Sequence, residues 1–333
     1  MSPVRDEETM HFDLPLDQLR QYRPEIAVPE DFDGFWAGTL TEARRHDLGV
    51  SAALVDTGFA AIETYDVRFA GFGGHPIRAW LRVPADRRGG QAPVVIEYHG
   101  YGGGRGWAID PVMWPLAGYA HLSVDTRGQG AGRQRSATPD PEPGDAGEPT
   151  GWMTRGIRAP ETAYYRRVFT DAVRAVEAAR TLPGVDPARV VVTGVSQGGG
   201  IALAVAGLVR DLAAAMVDVP FLCHIERAIT LTDRDPYQEI VRFLRAHREE
   251  EPVVLRTLSY VDAANHAVRA NAPALFSVGL MDLTCPPRTV FAAYNRYHCD
   301  DKEIVVYPYN DHEGGQAPHE QAKLDWLRAR VAP

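Results

Sequence analysis

Apolar side chains recur at helical spacing through the first sixty residues. Residues 14–22 predict a short helix broken by Pro24. Residues 30–45 predict a longer one, with Phe32, Phe35, Trp36 and Leu40 on one stripe. These aromatics read as core contacts, residues 1–60 as a helical extension packed on the rest, and nothing in the stretch reads as sheet. The pattern then changes. Residues 63–69 and 76–83 alternate apolar and polar positions around the turn-forming 70–75, which predicts an antiparallel hairpin at a sheet edge. Residues 86–90 read as a polar turn. Apolar runs at 93–98, 117–124, 190–195, 213–219, 274–280 and 303–307 predict buried strands. Between and after them lie helical patterns at 161–181, 201–208, 237–248, 288–297 and 320–331. In 161–181, Tyr165, Val168, Phe169, Ala172, Val173 and Val176 share a stripe, and in 320–331 Leu324 and Leu327 face inward. Residues 221–270 read as mostly helical. Residues 131–160 are dense in Pro, Gly, Asp and Glu and read as a long functional or interface loop. The alternation predicts an α/β fold: a mainly parallel sheet with helices on both faces and a helical N-terminal extension. No repeat or interdomain linker interrupts it, so 1–333 reads as one domain.

Composition narrows the partners. The chain has 333 residues, 45% hydrophobic and 24% charged, with a net charge of −9. That balance makes a nucleic-acid groove or an anionic membrane a poor partner. Cys223, Cys285 and Cys299 show no C-x-x-C spacing, which suits a reducing compartment better than a disulfide framework. Residues 1–16 carry Asp6, Glu7 and Glu8 and no apolar core, unlike a secretory signal. No stretch has the length of a transmembrane helix. A cytoplasmic location is the expectation.

The chemistry gathers at 190–200, Val-Val-Val-Thr-Gly-Val-Ser-Gln-Gly-Gly-Gly. A β-branched run drives into Gly194-Val195-Ser196-Gln197-Gly198, and small helix-compatible residues follow. This is strand, sharp turn and helix with a serine at the apex, the nucleophile elbow of the α/β-hydrolases. A serine hydroxyl needs an adjacent base, and the base an orienting carboxylate. Two later strands run on into Asp282 and His312, giving the order Ser, Asp, His along the chain. The competitors fit less well. His298 falls at a helix end and His319 just ahead of the last helix. Asp262, Asp300 and Asp301 do not directly follow a buried strand, and Asp233 and Asp235 read as solvated or capping. An oxyanion hole needs two backbone N–H groups. Gln197, next to the nucleophile, supplies one candidate. Tyr101, in His99-Gly100-Tyr101-Gly102-Gly103, supplies the other; its ring is a candidate wall of the acyl pocket, and His99 reads as a brace for the loop. No G-x-G-x-x-G or P-loop pattern cradles a phosphate, and no H-x-x-x-H or H-E-x-x-H supports a metal at Asp311-His312-Glu313. Neither cofactor nor metal is expected.

Four stretches carry a family resemblance: His99-Gly100-Tyr101, Arg127-Gly128-Gln129-Gly130, Gly194-Val195-Ser196-Gln197-Gly198-Gly199 and His312-Glu313. With 10–24, 152–156 and 164–173 they make the chain resemble the acetyl xylan esterases and cephalosporin C deacetylases, carbohydrate esterase family seven, over nearly its whole length. The resemblance implies an α/β-hydrolase that removes acetyl groups from short acetylated xylo-oligosaccharides, cephalosporin C and small synthetic acetates. It implies no metal or organic cofactor, and an intracellular homohexamer with its active sites facing an interior cavity. By motif match it makes Ser196, Asp282 and His312 the triad and Tyr101 and Gln197 the oxyanion donors. Gly102 departs from the asparagine of many members, which bears on how the loop is hydrogen-bonded. The alternatives are the same fold acting on another acyl group, as a peptidase or longer-chain esterase, or a non-catalytic binding protein, against which the complete Ser, Asp and His set argues. The pocket walls are expected from 131–160 and 221–270.

Overall fold

A computed structural model describes residues 12–86, 90–132, 134–141 and 151–333. The strands are β1 (Ser51–Val55), β2 (Ile62–Ala70), β3 (Pro76–Pro84), β4 (Ala92–Tyr98), β5 (Ala120–Val124), β6 (Val185–Val195), β7 (Ala214–Asp218), β8 (Ala274–Gly279) and β9 (Lys302–Tyr307). The helices are α1 (Leu16–Gln21), α2 (Phe32–Ala43), α3 (Met113–Leu116), α4 (Tyr164–Ala179), α5 (Gln197–Leu208), α6 (Ile225–Ala228), α7 (Tyr237–Ala246), α8 (Glu251–Val261), α9 (Ala263–Ala267), α10 (Pro287–Arg296) and α11 (Gln316–Arg330).

The strands form one sheet in the order β1-β2-β3-β5-β4-β6-β7-β8-β9. β1, β2, β3 and β5 pair antiparallel in turn; β5, β4, β6, β7, β8 and β9 pair parallel. This is the α/β-hydrolase architecture, and the apolar runs explain it. Successive strand residues point to opposite faces. Val94, Ile96, Val190, Val192, Ala215 and Val217 enter one core cluster with Phe169, Val173, Ile201 and Val205 of α4 and α5. Val95, Val191, Ala214 and Met216 enter another with Trp114 of α3 and Trp326 and Leu327 of α11. A strand buried on both faces reads as an unbroken apolar run. On α2, Phe32, Trp36 and Leu40 join the first cluster, and the Trp36 indole N–H donates to the Tyr260 carbonyl at 3.1 Å.

Four sequence expectations need correction. The first sixty residues do contain sheet: β1 pairs with β2 and forms the edge beyond the 63–83 hairpin. Its backbone ladder holds it while its side chains stay mostly exposed, Leu54 at 68%, so no alternation marks it. The 117–124 run is strand only from Ala120, because Ala117 closes α3. The elbow strand begins at Val185 rather than Val190. The last helix begins at Gln316 rather than residue 320, so His319 lies inside its first turn. Residues 1–11, 87–89 of the turn at 86–90, and 133 and 142–150 of the loop at 131–160 lie outside the described residues.

Candidate active site

The parallel strands end along one rim. β6 ends at Val195, and Ser196 turns the chain at φ 58° and ψ −119° before α5 begins at Gln197. A non-glycine residue held there stores about 1–3 kcal/mol. The turn is tight enough that a Cβ on Gly194 would strike the Gly198 backbone, and one on Gly198 the Tyr98 carbonyl. Three backbone bonds fix the apex. Ser196 N–H donates to the Asp218 carbonyl at 2.9 Å, and Gly200 and Phe221 N–H donate to the Ser196 carbonyl at 3.0 and 2.9 Å.

His312 stands five residues past the end of β9, and Asp282 three past β8. His312 Nε2 lies 2.9 Å from Ser196 Oγ, and His312 Nδ1 lies 2.8 Å from Asp282 Oδ2. Asp282 is wholly buried; its other oxygen accepts the N–H groups of Thr284 and Cys285, each at 2.8 Å. The carboxylate is therefore oriented before it meets the imidazole, and as an acceptor it places the proton on Nδ1. The loop carrying His312 is pinned to the β8 end: Met281 N–H donates to the Asn310 carbonyl, and Leu283 N–H to Asp311 Oδ1. Gly279 permits this approach, since a Cβ there would strike the Asn310 and Asp311 carbonyls.

Gln197 opens α5, where the first N–H groups have no acceptor within the helix and the dipole is positive. Its side chain ties the elbow to the loop after β4. Nε2 donates to the His99 carbonyl at 3.1 Å, while Oε1 accepts from Tyr165 Oη at 2.9 Å and Gln129 Nε2 at 2.8 Å. Gln129 in turn accepts the Gly102 N–H at 2.7 Å. Gly102 sits at φ +76°, a conformation open to glycine and next best to asparagine, and its carbonyl accepts Gly130 and Gly132 N–H. The loop at this departure is thus bonded through its backbone. His99 is buried against Ser123 Oγ at 2.9 Å, and burial pushes its pKa below the ordinary value, as befits a brace.

The competitors lie elsewhere. Asp262 caps α9 and accepts N–H bonds from Ala264, His224 and Ile225; burial raises its carboxyl to about 6. His298 is exposed, Asp301 pairs with Arg330, and Asp235 with Arg242. His319 is buried against Asp218. The nearest approach to a metal-ligand set at the rim is Asp282, Cys285 and His312, within 4.8 Å of one another. Asp282 and His312 already bond each other, Ser196 and two peptide N–H groups, and burial drives the Cys285 thiol pKa up, so the donor set is poorly matched to an ion. Two residues escaped sequence reading. Gln129 lies inside the Arg-Gly-Gln-Gly stretch, where a buried polar side chain between glycines was the available signal. Glu239 lies on the buried side of α7 and bonds the Tyr101 hydroxyl; an acid beside Tyr237 and Ile240 was its only trace.

A family model described as acetyl xylan esterase (AXE1) matches residues 9–330. Acetyl esterase Axe7A of Xylanibacter ruminicola is 28% identical over 324 residues, covering 93% of this chain and 69% of that protein. Two solved structures are similar throughout. An acetyl xylan esterase from Paenibacillus sp. R4 superposes with a TM-score of 0.86 at 38% identity, over 96% of this chain and all of that one. Acetyl xylan esterase 1 from Thermoanaerobacterium sp. JW/SL YS485 gives 0.85 at 33%, over 94% and 99% of the two chains.

Proposed function

The chain belongs to the acetyl xylan esterase family and is a carboxylic ester hydrolase, and on that premise we propose that it deacetylates short acetylated xylo-oligosaccharides and small acetates, cephalosporin C among them, through an acyl-enzyme on Ser196. The observation that carries the reading is the unbroken series Ser196 Oγ, His312, Asp282 at 2.9 and 2.8 Å. Ser196 attacks the acetyl carbonyl as His312 Nε2 takes its proton. Asp282 holds the imidazole tautomer and stabilises the imidazolium. The backbone N–H groups of Tyr101 and Gln197 receive the oxyanion. His312 then protonates the departing sugar oxygen, and the acetyl group stays on Ser196. Water, deprotonated by His312, attacks that ester and releases acetate.

A small acyl pocket is supported by the aromatic rings around Tyr101. Trp152 and Phe221 meet its ring at centroid distances of 4.9 and 6.1 Å, and the Phe221 backbone N–H donates to the Ser196 carbonyl. A chain-length series of p-nitrophenyl esters, with acetate release from acetylated xylo-oligosaccharides and cephalosporin C, tests the reading. Acetate esters should be turned over far faster than butyrate or longer, and all three substrate types should release acetate. Preference for a long acyl chain or for a peptide bond would overturn it.

A further inference from the structure

Tyr101 is held at both ends. Its backbone belongs to the loop that Gln197 and Gln129 tie to the elbow. Its phenol reaches the other way, to the helical insert between β7 and β8. Tyr101 Oη donates to Glu239, 2.7 Å from each carboxylate oxygen, and accepts the Trp152 N–H at 3.0 Å. Glu239 Oε2 also accepts the Met153 N–H at 3.1 Å. One carboxylate therefore gathers three segments: the loop after β4, the 151–153 stretch and α7. Glu239 is 9% exposed, and burial pushes its carboxyl above the usual range against the pull of the phenol. Burying an acid is costly unless its oxygens are hydrogen-bonded, and those of Glu239 are held by the Tyr101 phenol and the Met153 N–H. Neither the triad nor the sheet uses this acid.

We propose that Glu239 is a positioning residue. By anchoring the Tyr101 phenol it sets the aim of the Tyr101 N–H at the oxyanion and holds the Tyr101 and Trp152 rings at a spacing that admits acetyl and excludes longer chains. The inference rests on the acetyl-ester reading above and deepens it. A backbone N–H works only at hydrogen-bonding distance from the developing oxyanion, and an error of about 1 Å costs about 100-fold. Three glycines follow Tyr101, so the loop holds that aim through its bonds to neighbours, from Gly102 to Gln129, Gly130 and Gly132 and from the phenol to Glu239.

Tyr101→Phe keeps the ring and the N–H and removes only the hydroxyl; Glu239→Ala removes the anchor; Glu239→Gln keeps one oxygen for the phenol. Steady-state kinetics on p-nitrophenyl acetate and butyrate, with thermal melts of each variant, test the role. Tyr101→Phe and Glu239→Ala should each lower kcat on acetate about 10- to 100-fold with KM changed less than about threefold. Both should raise the butyrate-to-acetate ratio of kcat/KM. Glu239→Gln should recover much of the loss, and the Tyr101→Phe/Glu239→Ala double variant should be no worse than the poorer single. Wild-type kcat and acyl preference in Tyr101→Phe, with only the melting temperature lowered, would overturn the positioning role and leave the esterase reading standing. Retained activity in Ser196→Ala would instead sink the acyl-enzyme reading on Ser196. If Glu239→Ala does not fold, Tyr101→Phe decides alone.

Discussion

Two histidines seven positions apart each hold a buried carboxylate, and only one of them faces a serine hydroxyl. His312 gives Nδ1 to Asp282 and turns Nε2 to the Ser196 hydroxyl, with 27% of its side chain exposed. His319 gives Nε2 to Asp218 at 2.6 Å and turns Nδ1 inward to the Tyr307 hydroxyl at 3.0 Å, with its side chain only 4% exposed. Even a serine is present in the second cluster, but Ser277 Oγ donates to Asp218 Oδ1 at 3.2 Å and never meets the imidazole. The charges differ as well. Asp218 has Lys323 Nζ 2.8 Å away, so its carboxylate is neutralised by a fixed cation. Among the described residues, His312 is the one partner of Asp282 that can carry positive charge at ion-pair distance. Residue types alone do not make a catalytic series. What sets the first cluster apart is serial order, a ring nitrogen turned to a serine hydroxyl at an open rim, and a carboxylate with no fixed cation at ion-pair distance among the described residues. The two clusters also share a joint, because the Asp218 carbonyl accepts the Ser196 N–H. The second reads as the buried footing of the first.

Exchanging the histidines should separate the two roles most sharply. His312→Ala should lower kcat on p-nitrophenyl acetate by about 10⁴- to 10⁶-fold with little change in melting temperature. His319→Ala should do the reverse, with a lower melting temperature and kcat within about tenfold of wild type. The aspartates extend the contrast. Asp282→Asn should cost about 10⁴ in kcat by favouring the wrong tautomer. Asp218→Asn takes the buried carboxylate from Lys323, leaving it only the partly exposed Glu320 at 3.2 Å, and should cost about 3–5 kcal/mol of stability by denaturant unfolding. The smallest effect is in acid. Burial alone would raise the Asp218 carboxyl, but Lys323 and His319 hold it well below its ordinary range. Its stabilising contribution is therefore complete above the unfolded value near about 4 and is lost as pH falls below that. Melting temperatures measured from pH 6 to 3 should fall more steeply below about pH 4 in the wild type than in Asp218→Asn. Parallel curves would show that the buried cluster does not carry this linkage.

Much of the fold was legible because the central strands are buried on both faces. Their runs at 93–98 and 190–195 needed no partner to be recognised. The elbow was legible for a local reason: Gly194 and Gly198 are demanded by backbone contacts within the turn and with Tyr98. What escaped depends on neighbours distant in the chain. β1 is held by its ladder to β2 rather than by burial. The first turn of α11 contains Pro318, which a helix tolerates there because the N–H groups lack partners anyway. Chain order suggested Asp282 and His312. Their meeting depends on Gly279 admitting the 310–311 carbonyls, and no local pattern announces that. The ties from Gln129 to Gly102 and from Glu239 to Tyr101 cross loops and helices far apart in sequence, so they become visible only once the sheet has brought those segments together.

The most direct test is where an acylating probe attaches. The folded protein, treated with a fluorophosphonate and mapped by peptide mass spectrometry, should carry one equivalent on Ser196 with matching loss of esterase activity. Labelling should be abolished in Ser196→Ala and strongly slowed in His312→Ala. Full esterase activity in a protein left unlabelled at Ser196, or labelling of Ser196 at an unchanged rate in His312→Ala, would contradict the activation of that hydroxyl by the imidazole and its buried carboxylate.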